Sequence, residues 1–150
     1  LCILLIPFFL RRYGIKTVVL IAMVAWILRF ALFGIGNPGG GVWLLVLSMI
    51  VYGVAFDFFN ISGSLFVDRE TDPSIRSSAQ GLFMIMTNGI GATLGSLGAQ
   101  AVINHFVNSE TDTTARMLGW SMSWYVFAAY AAVVTVLFAL LFRYKTETEA

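Results

Sequence analysis

Apolar and polar positions fall in long blocks along this chain rather than in short strides. Five apolar runs occupy residues 1–10, 17–35, 42–66, 78–104 and 120–142, divided by short polar or glycine-rich stretches. A helix needs about 17–25 apolar residues to cross a bilayer, so the last four runs reach the length of a span. The first is too short and reads as the end of a truncated helix. The pattern predicts an all-α integral membrane protein. The chain opens inside an apolar run without Met, which reads as part of a longer protein.

Within the run 42–66, the stretch SMIVYGVAFDFFNISGS (48–64) organises the rest. At 100° per residue, Tyr52, Phe56, Met49, Asn60, Gly53, Ser64 and Asp57, with Gly63, share one arc of about 140°. Ile50, Ile61, Val54, Leu65, Phe58 and Val51 take the opposite arc and suit lipid or apolar neighbours. Asp57 is the costly member. A carboxylate at a helix centre costs about 2.5–3.5 kcal/mol on insertion scales, so it must face protein or a wet cavity. The plainer reading makes Asp57 and Asn60 interhelical glue. The functional one makes them a substrate or proton site, with Tyr52 and Phe56 as a stacking wall. Tyr52, Phe56, Asp57 and Asn60 are the candidate substrate-binding residues, and Asp57 is the proton-coupling candidate.

Loop charges give the orientation. Arg11, Arg12 and Lys16, then Arg69 and Arg76, then Arg143 and Lys145 lie on one side, against Arg116 alone on the other. Basic residues gather on the cytoplasmic side, so RRYGIK and the carboxyl terminus are expected there and GNPGGG outside. Trp43, Trp120 and Trp124 then sit near the outer ends, as interfacial anchors do. Arg29 lies six residues from the outer end of its run, about 9 Å at the helical rise. An arginine can snorkel that far toward headgroups, and Asp57 lies about 22 Å from the outer end of its own helix, so the two are not expected to pair.

Asp72-Pro73-Ser74 reads as a turn that starts the fourth run. That run aligns Gly81, Asn88, Ala92, Gly95 and Ala99 on one side, which suits close helix packing. Gly89, Gly91 and Gly98 suit a helix that bends. Asn88 could face the same cavity as Asn60. The fifth run has no charged residue and, with the second, fits an outer support around inner third and fourth helices.

Composition narrows the function. The 150 residues are 59% hydrophobic and 11% charged with net charge +1, which excludes a soluble domain. Cys2 is the one cysteine and His105 the one histidine, so no nucleophile–base pair, metal-ligand cluster or internal disulfide is implied. An enzyme, a cofactor and a nucleic-acid partner are not expected.

PFFLRRYGIK resembles the loop motif of the major facilitator superfamily at Arg12, Gly14 and Lys16. Pro7, Arg11 and Ile15 depart from it, and Arg11 replaces the motif's acidic residue. YGIKTVVLIAMVAWILRFALFGIG, LSMIVYGVAFDFFNISGSLFVDRE and RSSAQGLFMIMTNGIG resemble the bacterial nucleoside–proton symporter family over nearly the whole chain. The resemblance implies twelve helices in two six-helix halves, of which this chain holds the end of the eighth through the twelfth. It implies a nucleoside bound between the halves, a tenth helix contributing Tyr52, Phe56 and Asp57, and H+ as coupling ion. The expected partners are the nucleoside, the bilayer of a bacterial inner membrane and the missing N-terminal half, with no obligate oligomer. A transporter of another small polar solute such as a sugar, or a non-transporting scaffold, are the alternatives.

Overall fold

The computed structural model describes residues 2–143. Lys145 and the carboxyl terminus at Ala150 lie outside the described residues. Among the described residues, four helices are long and apolar enough to cross a membrane: α1 (Cys2–Ile35), α2 (Val42–Glu70), α3 (Arg76–Asn108) and α4 (Thr113–Leu141).

α1 is two arms meeting at Gly14, whose φ of 74° and ψ of 168° lie where side-chain-bearing residues are strained. The turn is therefore one residue wide: helix runs through RRYGIK on both sides of Gly14. Both arms feed one core, in which Ile6, Val18, Ala22 and Phe58 are buried and Phe9, Leu10, Ile21, Val54 and Ile61 pack around them. Phe58, Val54 and Ile61 of the apolar arc of α2 thus meet α1. Lys16, just past the break, donates from Nζ to the Ala139 carbonyl at 3.1 Å. That carbonyl is among the last four of α4, which have no intrahelical donor, and a cation there also meets the negative end of the helix dipole. Replacing Gly14 by Ala is expected to cost about 1–3 kcal/mol of backbone strain. A lowered melting midpoint of the full-length protein in detergent checks this; an unchanged midpoint contradicts it.

The helices alternate in direction. Arg11, Arg69, Lys16 and the end of α4 share one end of the bundle, where Phe66 packs on Phe142 at 5.4 Å. At the other end, Phe33 stacks on Trp124 at 4.7 Å. Trp124 is therefore part of the α1–α4 seam, whereas Trp43 and Trp120 remain exposed. The connections are tight. Asn37 Oδ1 accepts from the backbone N–H of Gly39 and Gly41 at 3.0 and 3.2 Å in GNPGGG. Asp72 Oδ1 accepts from the Ser74 N–H at 2.9 Å and its hydroxyl at 2.7 Å, which holds the Asp72 carboxyl below the usual carboxylate range. Arg76 Nε lies 3.1 Å from Asp68 Oδ1, too bent for a hydrogen bond, and both side chains are near half exposed, so the pair adds little.

α4 begins well before the apolar run does, because Asp112 caps it: Oδ2 accepts from the N–H of Thr114 and Ala115, both at 3.1 Å. α1 is the most buried helix, since α2 and α4 flank it. Its expected place as an outer support does not hold within this chain. α3 is the least buried, touching α2 through its first turns and α4 through its last. The small residues expected to pack α3 closely do not do so at Gly81 and Gly95 among the described residues: a side chain at either would meet nothing. Between these ends, residues Ile85–Gly91 widen into a π-helix, and the last turn, Asn104–Asn108, does the same.

Candidate substrate site

α2 meets α1 through Ser48, Ala55 and Ser62, spaced seven residues apart and all fully buried. Small residues at that spacing form a stripe along which two backbones can approach. The Ser48 hydroxyl donates to the Arg29 carbonyl at 3.4 Å across this contact. The stripe was missed in the sequence because its members are spread among larger apolar residues, yet it fixes the rotation of α2. With Ser48, Ala55 and Ser62 inward, Tyr52 stands at the α1 edge of the polar arc and Asp57 at the far edge.

The end of the arc nearest Glu70 meets α3. Ser64 Oγ donates to Gln80 Oε1 at 3.0 Å, and Gln80 Nε2 donates back to the Ser64 carbonyl at 2.7 Å. Phe83 lies so close to Gly63 that a methyl there would sit 2.5 Å from its ring. Gly63 and Ser64 are thus occupied in holding α3. From Ile85 onward α3 makes no close approach to α2, and the part of the arc above this contact stays open.

Tyr52 and Phe56 lie with ring centroids 5.6 Å apart at 44°, one turn from each other, and Phe56 is 42% exposed. Asp57 is half-buried and, among the described residues, has no hydrogen-bond or ion-pair partner. Asn60 donates from Nδ2 to the Phe56 carbonyl at 2.9 Å, which ties its amide to its own helix and leaves its Oδ1 as an acceptor. Asn88 donates to Thr87 Oγ1 at 3.2 Å and approaches Met84 Sδ at 3.8 Å, both local partners, and does not pair with Asn60. The structure therefore brings Tyr52, Phe56, Asp57 and Asn60 onto one open face and leaves Asn88 out of it.

Arg29 departs from the expected snorkelling. Its guanidinium carbon lies 4.1 Å from the Tyr52 ring centroid, 5.0 Å from Trp26, 5.7 Å from Phe33 and 6.0 Å from Phe30. The ring faces draw the cation sideways into the α1–α2 seam rather than along the helix toward headgroups. Asp57, on the far edge of α2, is out of its reach. A groove of about 300 Å³ lies elsewhere, at the basic end, lined by Ile6, Pro7, Leu10, Arg11, Ile61, Leu65 and Arg69.

Known proteins resemble this chain over nearly its whole length. The nucleoside H+ symporter profile matches residues 1–147. The nucleoside permease NupG of Escherichia coli K12 is 54% identical over 147 residues, covering 97% of this chain and 34% of that protein. The xanthosine permease of the same organism is 54% identical over 149 residues, covering 98% of this chain and 34% of the permease. A crystal structure of the nucleoside transporter NupG superposes with a TM-score of 0.82 at 53% identity, over 95% of this chain and 34% of that one. The chain thus spans about a third of the length of these relatives, and it belongs to the nucleoside H+ symporter family.

Proposed function

We propose that this chain is part of a proton-coupled nucleoside uptake transporter that works by alternating access. The observation that carries this reading is the open arc of α2, where two adjacent rings stand beside a half-buried carboxyl with no partner among the described residues. Rings supply stacking for a base, and a few polar groups fix its orientation, as in small-molecule sites generally. Tyr52 and Phe56 take the base, Asn60 offers an acceptor, and Asp57 binds the substrate or carries the proton.

The chain forms part of the C-terminal six-helix bundle of a major facilitator transporter, with residues 1–10 ending one helix and 17–35, 42–66, 78–104 and 120–142 supplying four more. The remaining wall of the site comes from the N-terminal half of the same protein. The fold is a single-chain permease in a bacterial inner membrane, with H+ as coupling ion, no catalysis and no obligate oligomer. Arg12, Gly14 and Lys16 stand at its cytoplasmic turn: the helix breaks at Gly14, and Lys16 ties the turn to α4.

Uptake of labelled nucleoside by cells producing the full-length protein tests the reading. Concentrative uptake that collapses when the proton gradient is dissipated, and that sugars fail to compete, is expected. Uptake indifferent to the gradient contradicts it. A reporter fused after Ala150 is expected to report the cytoplasm, from the seven-to-one basic bias; a periplasmic signal reverses the topology.

A further inference from the structure

Arg29 is the feature that the nucleoside reading leaves unused. It is a cation in a membrane-spanning helix, half-buried, and its Nε is buried without a hydrogen-bond partner among the described residues. A charge so placed needs compensation. Four ring faces and edges from α1 and α2 surround it, with Tyr52 nearest at 4.1 Å.

The same contacts constrain Tyr52. Trp26 meets it edge-on, with centroids 5.6 Å apart at 76°, while the guanidinium covers one of its faces. The ring is held on two sides, and its third neighbour is Phe56. The guanidinium takes one face of Tyr52, so a base that stacks on this ring does so on the other. The same ring carries the Tyr52 hydroxyl. That hydroxyl has no partner among the described residues.

We propose that Arg29 is a positioning residue of the nucleoside site, clamping Tyr52 through one ring face so that the other face and the hydroxyl are presented to the base. This rests on the reading that Tyr52 binds substrate. Arg29 touches no substrate itself; it fixes the ring before the substrate arrives, and ordering of that kind is recovered as affinity.

The test uses the full-length transporter, with Arg29→Met, which keeps an unbranched apolar stem and loses charge, and Arg29→Lys, which keeps charge. Nucleoside Kd by calorimetry and the KM and maximal rate of uptake are measured in each, with melting midpoint as a control for folding. Arg29→Met is expected to raise Kd and KM about threefold to tenfold, with the maximal rate within about twofold of the parent. Arg29→Lys is expected to restore most of the affinity, because an ammonium also sits on a ring face. In a Tyr52→Leu background, Arg29→Met is expected to add less than about 1.5-fold, since its partner is gone. An unchanged Kd in Arg29→Met, or the same loss with and without Tyr52, overturns the proposal while leaving the nucleoside site standing. An unchanged Kd in Tyr52→Leu alone overturns the proposal together with Tyr52's place in that site. Should Arg29→Met not insert, Arg29→Gln takes its place with the same expected loss and the same contrary results.

Discussion

Asp57→Asn in the full-length protein is expected to lose proton-driven accumulation of nucleoside while still exchanging nucleoside across the membrane. Asparagine keeps the shape of the side chain and its capacity for hydrogen bonds but cannot ionise. Alternating access wets a midplane site from one side and then the other. A carboxyl whose hydration and charged neighbours change in this way can change its own charge, taking a proton on one side and releasing it on the other. Asp57 is the candidate carboxyl for this role. It lies at the open edge of the arc, seven residues before the Ser64 that α3 holds, and no cation among the described residues neutralises it. A counter-charge would come from the other half of the transporter. The competing account keeps Asp57 ionised and bonded to ribose hydroxyls, with coupling at another carboxyl. Uptake in Asp57→Asn that remained fully gradient-dependent would establish that account and remove the proton role.

The elements of this site were legible to different degrees, for reasons of geometry. The period of a helix places Tyr52, Phe56, Asp57 and Asn60 on one arc, and that inference needs only the 3.6-residue repeat. It does not say which arc meets which neighbour. The inward stripe of Ser48, Ala55 and Ser62 sets that rotation, and it shows only once α1 is seen against it. Arg29 was misread for a related reason. Counting rise along each helix compares depths of charges, so it tests a cation against carboxylates and passes over ring faces. Tyr52 lies ten residues inside α2 and Arg29 six inside the end of α1, about 15 and 9 Å from their respective ends. An arginine side chain spans the difference, and the quadrupoles of four rings reward it.

The connections show a second limit. The polar run from His105 to Leu118 looks like one external loop, but the structure keeps helix to Asn108 and resumes it at Thr113. Polar composition hid an Asp followed by two threonines, an N-cap signal that Asp112 duly fulfils. The open course of α3 was not legible at all. Its small residues announced close packing, and the partner they would need is not among the described residues.

Phe56→Ala and Tyr52→Ala are expected to weaken nucleoside binding while leaving membrane insertion intact. Losing one aromatic stacking face typically costs about 1–3 kcal/mol per base, about fivefold to 150-fold in Kd. The two substitutions should differ in what else they disturb. Phe56 is 42% exposed and its nearest ring is Tyr52, so its removal takes away little packing and the melting midpoint should hardly move. Tyr52 is also the closest ring to the Arg29 cation and the edge partner of Trp26. Its loss leaves a half-buried charge with one fewer compensating face, so Tyr52→Ala should lower the melting midpoint as well as the affinity. Tyr52→Phe keeps the ring under the guanidinium and removes only the hydroxyl, so it should restore the midpoint and report the hydroxyl's share of binding. Calorimetric affinities unchanged in both alanine variants, with both proteins folded, would make the pair ordinary packing between α1 and α2.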